Sequence, residues 1–318
     1  MFKIISIGEG LGDCFIIKVG LDETPVHILV DGRYGNNKNV SKMKKYLGEE
    51  NVFDFIVVTH CDSDHIKGVV KLLNMGKCID ENTKFIYNFI TKPIDNSISY
   101  VDAEELEKII KNYCVINTCS RDYKNLSNKL YILSVNDRND FDINVYNDLK
   151  PVLTLLSPDM KGINDVYIDY MNWKEKDKDA NREKINKNSI VFLLEYKGKR
   201  ALFTGDAYFE DIIEILDTMK DFSDKKIDLI KVPHHGAAQN CKGMVDYAIA
   251  HNCDRLLITG EKEWAKNKIH PAKDILEEII NKYKNNKIML YTDINFDFTS
   301  TPELLPINNM IQNYEMEI

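Results

Sequence analysis

An α/β fold, two sheets sandwiched between helices, is predicted by two features of this 318-residue chain. Apolar strand runs alternate with segments of helical spacing, and each half of the chain is built alike. Residues 1–58 open with strand runs at Phe2 to Ile7, Cys14 to Val19 and Val26 to Val30. The first two flank the turn Gly8 to Asp13, and the third ends at Asp31-Gly32. A short helix is expected at 40–48, then the wholly apolar strand Phe55 to Val58. Helical spacing follows at 66–74, through Ile66, Val69, Val70, Leu72 and Leu73. In the middle, 101–113 is helical, and Leu130 to Leu133, Asp142 to Tyr146 and Val152 to Leu156 are strands. Asn172 to Asn188 is almost wholly polar and is expected to be a solvated loop or, failing that, a lid.

The last third is regular. Ile190 to Leu194 and Arg200 to Phe203 make a hairpin around Lys197-Gly198-Lys199. Helices are expected at 208–219, 243–251 and 271–284, with strands at Ile227 to Val232, Arg255 to Thr259 and Lys287 to Tyr291. Phe296 to Thr299 is expected to partner the last of these. This places one domain at 1–300, with 301–318 as a tail.

Composition narrows the class. The chain is 44% hydrophobic and 29% charged, as in ordinary globular proteins. No apolar run approaches the roughly 20 residues of a membrane helix, and the N-terminus has no signal-peptide pattern. A cytoplasmic protein without membrane contact is the expectation. Seven cysteines form no CxxC pair, which argues for reduced thiols rather than a disulfide scaffold or a four-cysteine zinc site. The net charge of −8, from 42 basic and 50 acidic residues, argues against a broad duplex-binding face.

The strongest chemical signal is His60-x-Asp62-x-Asp64-His65, directly after an apolar strand. Four metal-competent side chains in six residues would repel or desolvate badly without a cation among them. The plainer reading is a polar turn capped by Asp62 or Ser63. Three further elements are weaker alone: Thr204-Gly205-Asp206, the strand that ends in Val232-Pro233-His234-His235-Gly236, and His270-Pro271.

Together these elements resemble the metallo-β-lactamase superfamily, and within it the competence-protein branch, the hydrolase domain of membrane DNA-uptake proteins. The family order is matched by Gly10-Leu11-Gly12-Asp13, Asp31-Gly32, Thr59 to His65, Asn188-Ser189, Thr204 to Asp206, Val232 to Gly236 and His270-Pro271. The resemblance covers about residues 1–300 and implies a stand-alone αββα sandwich. It implies that His60 and Asp62 bind one metal, Asp64 and His65 a second, with Asp206 bridging. One of His234 and His235 completes the set, Asp31 orients the motif from behind, and His270 lies near the reacting group.

Two departures stand out: aspartate replaces histidine at position 62, and no histidine occurs between His65 and His234. Both make the first site richer in oxygen, which favours Mn²⁺ or Mg²⁺ more than a nitrogen-rich shell would, with Zn²⁺ still bound strongly. The expected activity is phosphodiester hydrolysis by a metal-bridging hydroxide, with nucleic acid or a nucleotide as substrate and Asp64 and His270 as catalytic residues. The alternatives are hydrolysis of a phosphocholine-type ester, thioester or lactam, and a regulatory module without turnover.

Overall fold

A computed structural model describes the chain apart from residues 9–11, 36, 49–51, 77, 89–97, 117, 119–128, 132–149, 177–180, 220–225, 261–262, 265–269, 284–287, 293, 297, 300 and 313–314. The N-terminal half supplies β1 (Phe2–Ser6), β2 (Phe15–Gly20), β3 (Pro25–Val30), β4 (Phe55–Val57), β5 (Lys84–Ile86) and β6 (Cys114–Ile116) in that spatial order. β1 to β3 are antiparallel, and β3 to β6 are parallel. The change follows from the connections. Parallel neighbours need a crossover, and helices α1 (Asn37–Leu47), α2 (Ser63–Asn74) and α3 (Ile98–Ile110) provide it.

The second half repeats this plan. β7 (Lys129–Tyr131), β8 (Val152–Ser157), β9 (Val191–Tyr196) and β10 (Lys199–Phe203) are antiparallel neighbours. Between β8 and β9 lie α4 (Met160–Lys176) and α5 (Arg182–Lys187). β10 then runs parallel to β11 (Leu229–Lys231), β12 (Arg255–Ile258) and β14 (Met289–Thr292) in succession. The crossovers are α6 (Phe209–Thr218), α7 (Met244–Ala250) and α8 (Lys273–Lys282).

Alternation of apolar side chains fixes the layers. Phe15, Ile17 and Val30 of the first sheet pack against Phe192, Leu194 and Phe203 of the second. Phe192 and Phe203 stack with ring centroids 4.8 Å apart. Val40, Met43, Leu47, Ile66, Val69 and Leu106 bury the helical layer on the first sheet, and Ile212, Leu216, Met244 and Leu276 bury the layer on the second. Each such side chain contributes roughly 1.5–3 kcal/mol relative to an exposed one.

Several expectations need correction. Asn172 to Asn188 is not a loop: α4 runs to Lys176 and α5 covers Arg182–Lys187. The polarity misleads because only one face is buried. Val166, Tyr170 and Trp173, at spacings of four and three, hold α4 to the core, and Ile185 holds α5. Asn181 caps α5 by accepting from the Lys184 amide at 3.2 Å. Phe296 to Thr299 does not partner the strand at Met289–Thr292. That strand is flanked on both sides by β12 and β16 (Ile311–Gln312) and has no open edge. Instead β15 (Asn295–Phe296) pairs with β13 (Glu263–Trp264) in a separate two-stranded sheet. α2 begins at Ser63, ahead of the helical spacing expected at 66–74. Asp142 to Tyr146 and Gly10-Leu11 lie outside the described residues.

Residues 301–318 supply an edge strand to each sheet: β16 beside β14, and β17 (Glu315–Glu317) beside β1. Among the described residues, no helix is long and apolar enough to cross a membrane. Cysteines 14, 61, 241 and 253 are buried free thiols, whereas Cys114 is exposed.

The motif residues collect where parallel strands end, as ligands do in open α/β sheets. Asp31 follows β3, His60 to His65 follow β4, Asp206 follows β10, and His234 and His235 follow β11.

Candidate metal centre

The position of α2 sets half of the centre. Asp62 is its N-cap in an extended conformation, but its side chain makes no capping bond. Ser63 Oγ instead donates to Asp102 Oδ2 of α3 at 2.9 Å. Two glycines let the helix approach the loop after β3. A Cβ on Gly68 would stand 1.7 Å from the Gly32 carbonyl oxygen, and one on Gly12 would stand 1.8 Å from that of Asp64. Gly12 also has φ +107°, a region costly to other residues. This contact brings Asp13 beside the first turn of α2.

Three imidazoles are fixed from behind and aimed at one point. His65 Nδ1 lies 2.8 Å from Asp31 Oδ2, which also accepts from Thr59 Oγ1 at 2.7 Å. Since that hydroxyl donates to Asp31, it accepts from His60 Nδ1 at 3.0 Å. Likewise Thr259 Oγ1 donates to Asp13, so it accepts from His235 Nδ1 at 3.0 Å. The network therefore places a proton on Nδ1 of all three rings and turns each Nε2 towards the carboxylates.

Those Nε2 atoms surround Asp206 Oδ2, at 3.9 Å for His60, 3.4 Å for His65 and 3.8 Å for His235. Asp64 Oδ2 lies 3.9 Å from His65 Nε2 and 3.6 Å from His235 Nε2. Among the described residues four ligand sets result, each with its atoms within 4.8 Å of one another: His60–His65–Asp206 and Asp64–His65–His235, and with the carboxylates behind the rings Asp13–Asp206–His235 and Asp13–Asp31–His65.

The paired histidines part company here. Both hold left-handed backbone, φ 44° at His234 and 54° at His235, a strain of order 1–3 kcal/mol per residue. His235 points inward and is 1% exposed, so it is the one that joins Asp64. His234 stays at the rim with 26% side-chain exposure, its Nε2 3.6 Å from Asp206 Oδ2 and its ring centroid 5.2 Å from that of His270. Asp62 lies outside all four sets, although its Oδ1 is buried without a hydrogen-bond partner.

The electrostatics show where charge is missing. Burial would lower His65 and His235, but the carboxylates of Asp206 and of Asp31 or Asp13 override it. His65 rises well above the usual imidazole range and His235 to about 9. Burial and the His65 charge depress His60 to about 3, so it stays neutral. Burial and the neighbouring Asp64 raise Asp62 to about 6. Despite burial, His235 and His65 keep Asp64 below the ordinary carboxylate range. Surplus carboxylate charge thus pulls second protons onto two imidazoles, at the atoms where a cation would take their place.

The residues present fit divalent metal. His60, His65 and His235 carry buried Nε2 atoms without a hydrogen-bond partner, facing carboxylates that need positive charge. Such orphaned atoms are rare unless something binds them.

Sequence reasoning gave no role to four residues that shape this centre. Asp13 lies behind His235, 3.4 Å from its Nδ1. Lys231 is buried between Asp13 and Asp206. Its ammonium keeps its charge because Asp13 and Asp206 outweigh the burial that would lower it. Thr259 orients His235, and Ser189 Oγ accepts from the Asp206 amide at 3.1 Å. Signals were visible: Asp13 and Ser189 stand in matched motifs, and Lys231 is a charge within the apolar run Ile227 to Val232.

No family model matches the chain, and no curated protein does. Solved structures do. Tm1679, described as a metal-dependent hydrolase of the β-lactamase superfamily, aligns over 100% of this chain and 99% of its own, at 9% identity and a TM-score of 0.50. The metallo-β-lactamase fold protein YhfI from Bacillus subtilis covers 100% of both chains at 10% identity and TM-score 0.45. The short form of human tRNase Z covers 100% and 99% at 10% identity and TM-score 0.41. The chain has the metallo-β-lactamase fold.

Proposed function

We propose that this protein is a metal-dependent hydrolase that cleaves phosphodiesters, with a nucleic acid or nucleotide as substrate. One observation carries the reading: two overlapping sets of buried ligand atoms share His65, and Asp206 Oδ2 stands at their junction. His60, with Asp62 beside it, would hold one divalent ion, and Asp64, His65 and His235 the other, with Asp206 available to both. When bound, such a pair neutralises the phosphoryl oxygens and makes a water acidic enough to serve as nucleophile.

The remaining steps belong to the chain. Asp31, Thr59 and Thr259 keep the imidazoles in the tautomer that binds metal. His234 at the rim is placed to protonate a leaving oxygen, with His270 beside it. Tyr34 is 51% exposed, and burial of its remainder together with the Asp64 and Asp62 charges raises its phenol. Lys67 Nζ lies 5.8 Å from its ring centroid, so a ring and a cation together would be available to a nucleotide there. Arg182, whose charge acts on both Tyr34 and Asp62, adds a cation on that side.

The test is a panel of single-stranded DNA, duplex DNA, RNA and bis-p-nitrophenyl phosphate, offered to stripped protein with Mn²⁺, Mg²⁺ or Zn²⁺. Metal-dependent cleavage of at least one phosphodiester is expected. Protein that binds two ions and cleaves only carboxylic esters, thioesters or lactams would overturn the substrate class. Protein that binds none would overturn the enzyme reading.

A further inference from the structure

Lys231 brings an ammonium into a centre that the surrounding ligands mark for cations. It is 1% exposed, and desolvating it costs several kcal/mol unless carboxylates surround it. A positive charge there also opposes metal binding unless it serves the ligands. Its neighbours define that service. Nζ donates to the Gly205 carbonyl at 2.9 Å, forms an ion pair with Asp13 Oδ2, and stands 3.6 Å from Asp206 Oδ1. The two oxygens of Asp206 therefore face different partners. Oδ1 faces the ammonium as an ion pair without a hydrogen bond, and Oδ2 faces the four imidazoles of His60, His65, His234 and His235. Asp13 completes the strap, because its Oδ1 accepts from Thr259 Oγ1, the same hydroxyl that orients His235.

We propose that Lys231 is a positioning residue: its ammonium holds Asp206 Oδ1 so that Oδ2 alone is offered to both metal ions, and Asp13 is the counter-ion that keeps the ammonium in place. The proposal rests on the two-metal reading above. It differs from a purely structural role in what the carboxylate does once released. With Oδ1 free, Asp206 would rotate, and the carboxylate bridge between the two ions would be lost, which would weaken their exchange coupling. If Lys231 merely neutralised Asp13, removing both charges together would restore the centre.

The experiment is a calorimetric Mn²⁺ titration with electron paramagnetic resonance on stripped protein, for wild type, Lys231→Met, Asp13→Asn and the double variant. Wild type is expected to bind two Mn²⁺ and show an exchange-coupled spectrum. Lys231→Met should bind the second Mn²⁺ roughly 10–100-fold more weakly, the range seen when a residue holding a ligand is removed. Its spectrum should show weaker exchange coupling than that of wild type. The double variant should fail to regain coupling, although its charge is balanced. Asp13→Asn should show a smaller weakening of the second ion, and it decides the matter if Lys231→Met does not fold. Unchanged affinity and coupling in Lys231→Met, or in Asp13→Asn where that variant decides, would overturn the proposal. So would recovery of both in the double variant. Wild type binding no Mn²⁺ would instead overturn the two-metal reading and the proposal with it.

Discussion

His234 and His235 are adjacent in the chain, yet one reaches the rim and the other the interior. That difference separates binding from proton transfer. His235→Ala is expected to weaken metal binding at least tenfold, because the Asp64–His65 set loses its third member. His234→Ala should keep its metal and lose roughly 10²–10⁴-fold in turnover on substrates with poor leaving groups, and far less on nitrophenyl esters. Equal losses on both substrates would remove His234 from that role. Asp62 gives a second prediction. It stands where a nitrogen ligand would make the first site softer, so stripped wild type should recover more activity with Mn²⁺ than with Zn²⁺. Asp62→His should shift the preference towards Zn²⁺, and a wild type restored by Zn²⁺ alone would contradict the argument from ligand hardness.

At the scale of elements, the legible part was whatever carried a period or a dense motif. The strand before His60 and the apolar stripe of α2 were both plain in the residues. α4 was not foreseen, because its polar face outnumbers the buried Val166, Tyr170 and Trp173. The choice between His234 and His235 was not legible, since it depends on two left-handed residues in succession. Asp13 stood in a matched motif, but its role was not legible: its partners Thr259 and Lys231 are more than 200 residues away, and no local pattern reports such a contact. The glycine contact beneath α2 was equally silent, and it supplies a test. Gly68→Ala places a Cβ against the backbone of Gly32, where no side chain can swing aside. The helix must shift, at a cost of roughly 1–3 kcal/mol as for other overpacked sites. The melting temperature should fall, and with it metal affinity, because Asp64 and His65 ride on the same helix. A variant as stable as wild type would show that the interface yields freely.

Across the whole molecule, each half contributes ligands that the other cannot replace. Asp31, His60, Asp64 and His65 come from the first sheet and its helices, and Asp206 and His235 from the second. Without a cation, burying this many carboxylates holds the halves together under electrostatic strain. Metal should therefore stabilise the fold as well as enable turnover. At a free concentration 100 times the dissociation constant, linkage adds about 2.7 kcal/mol per ion. Chelation should lower the melting temperature, re-addition should restore it, and the shift should shrink in Asp206→Asn. A melting temperature indifferent to metal would argue that the ligands are not engaged in the folded state.

The bond from Thr259 to Asp13 spans 246 residues, and it bears on timing. Domains form from the N-terminus as the ribosome works. A nascent chain that has emerged only as far as Tyr196 holds His60, Asp62, Asp64 and His65, but neither Asp206 nor His235 nor the strap that orients them. Its half-built pocket is an acidic cluster with two stray imidazoles, a poor trap for any ion. Metal capture would then wait until β12 has docked, and a cell short of metal would accumulate finished but unloaded protein rather than stalled chains.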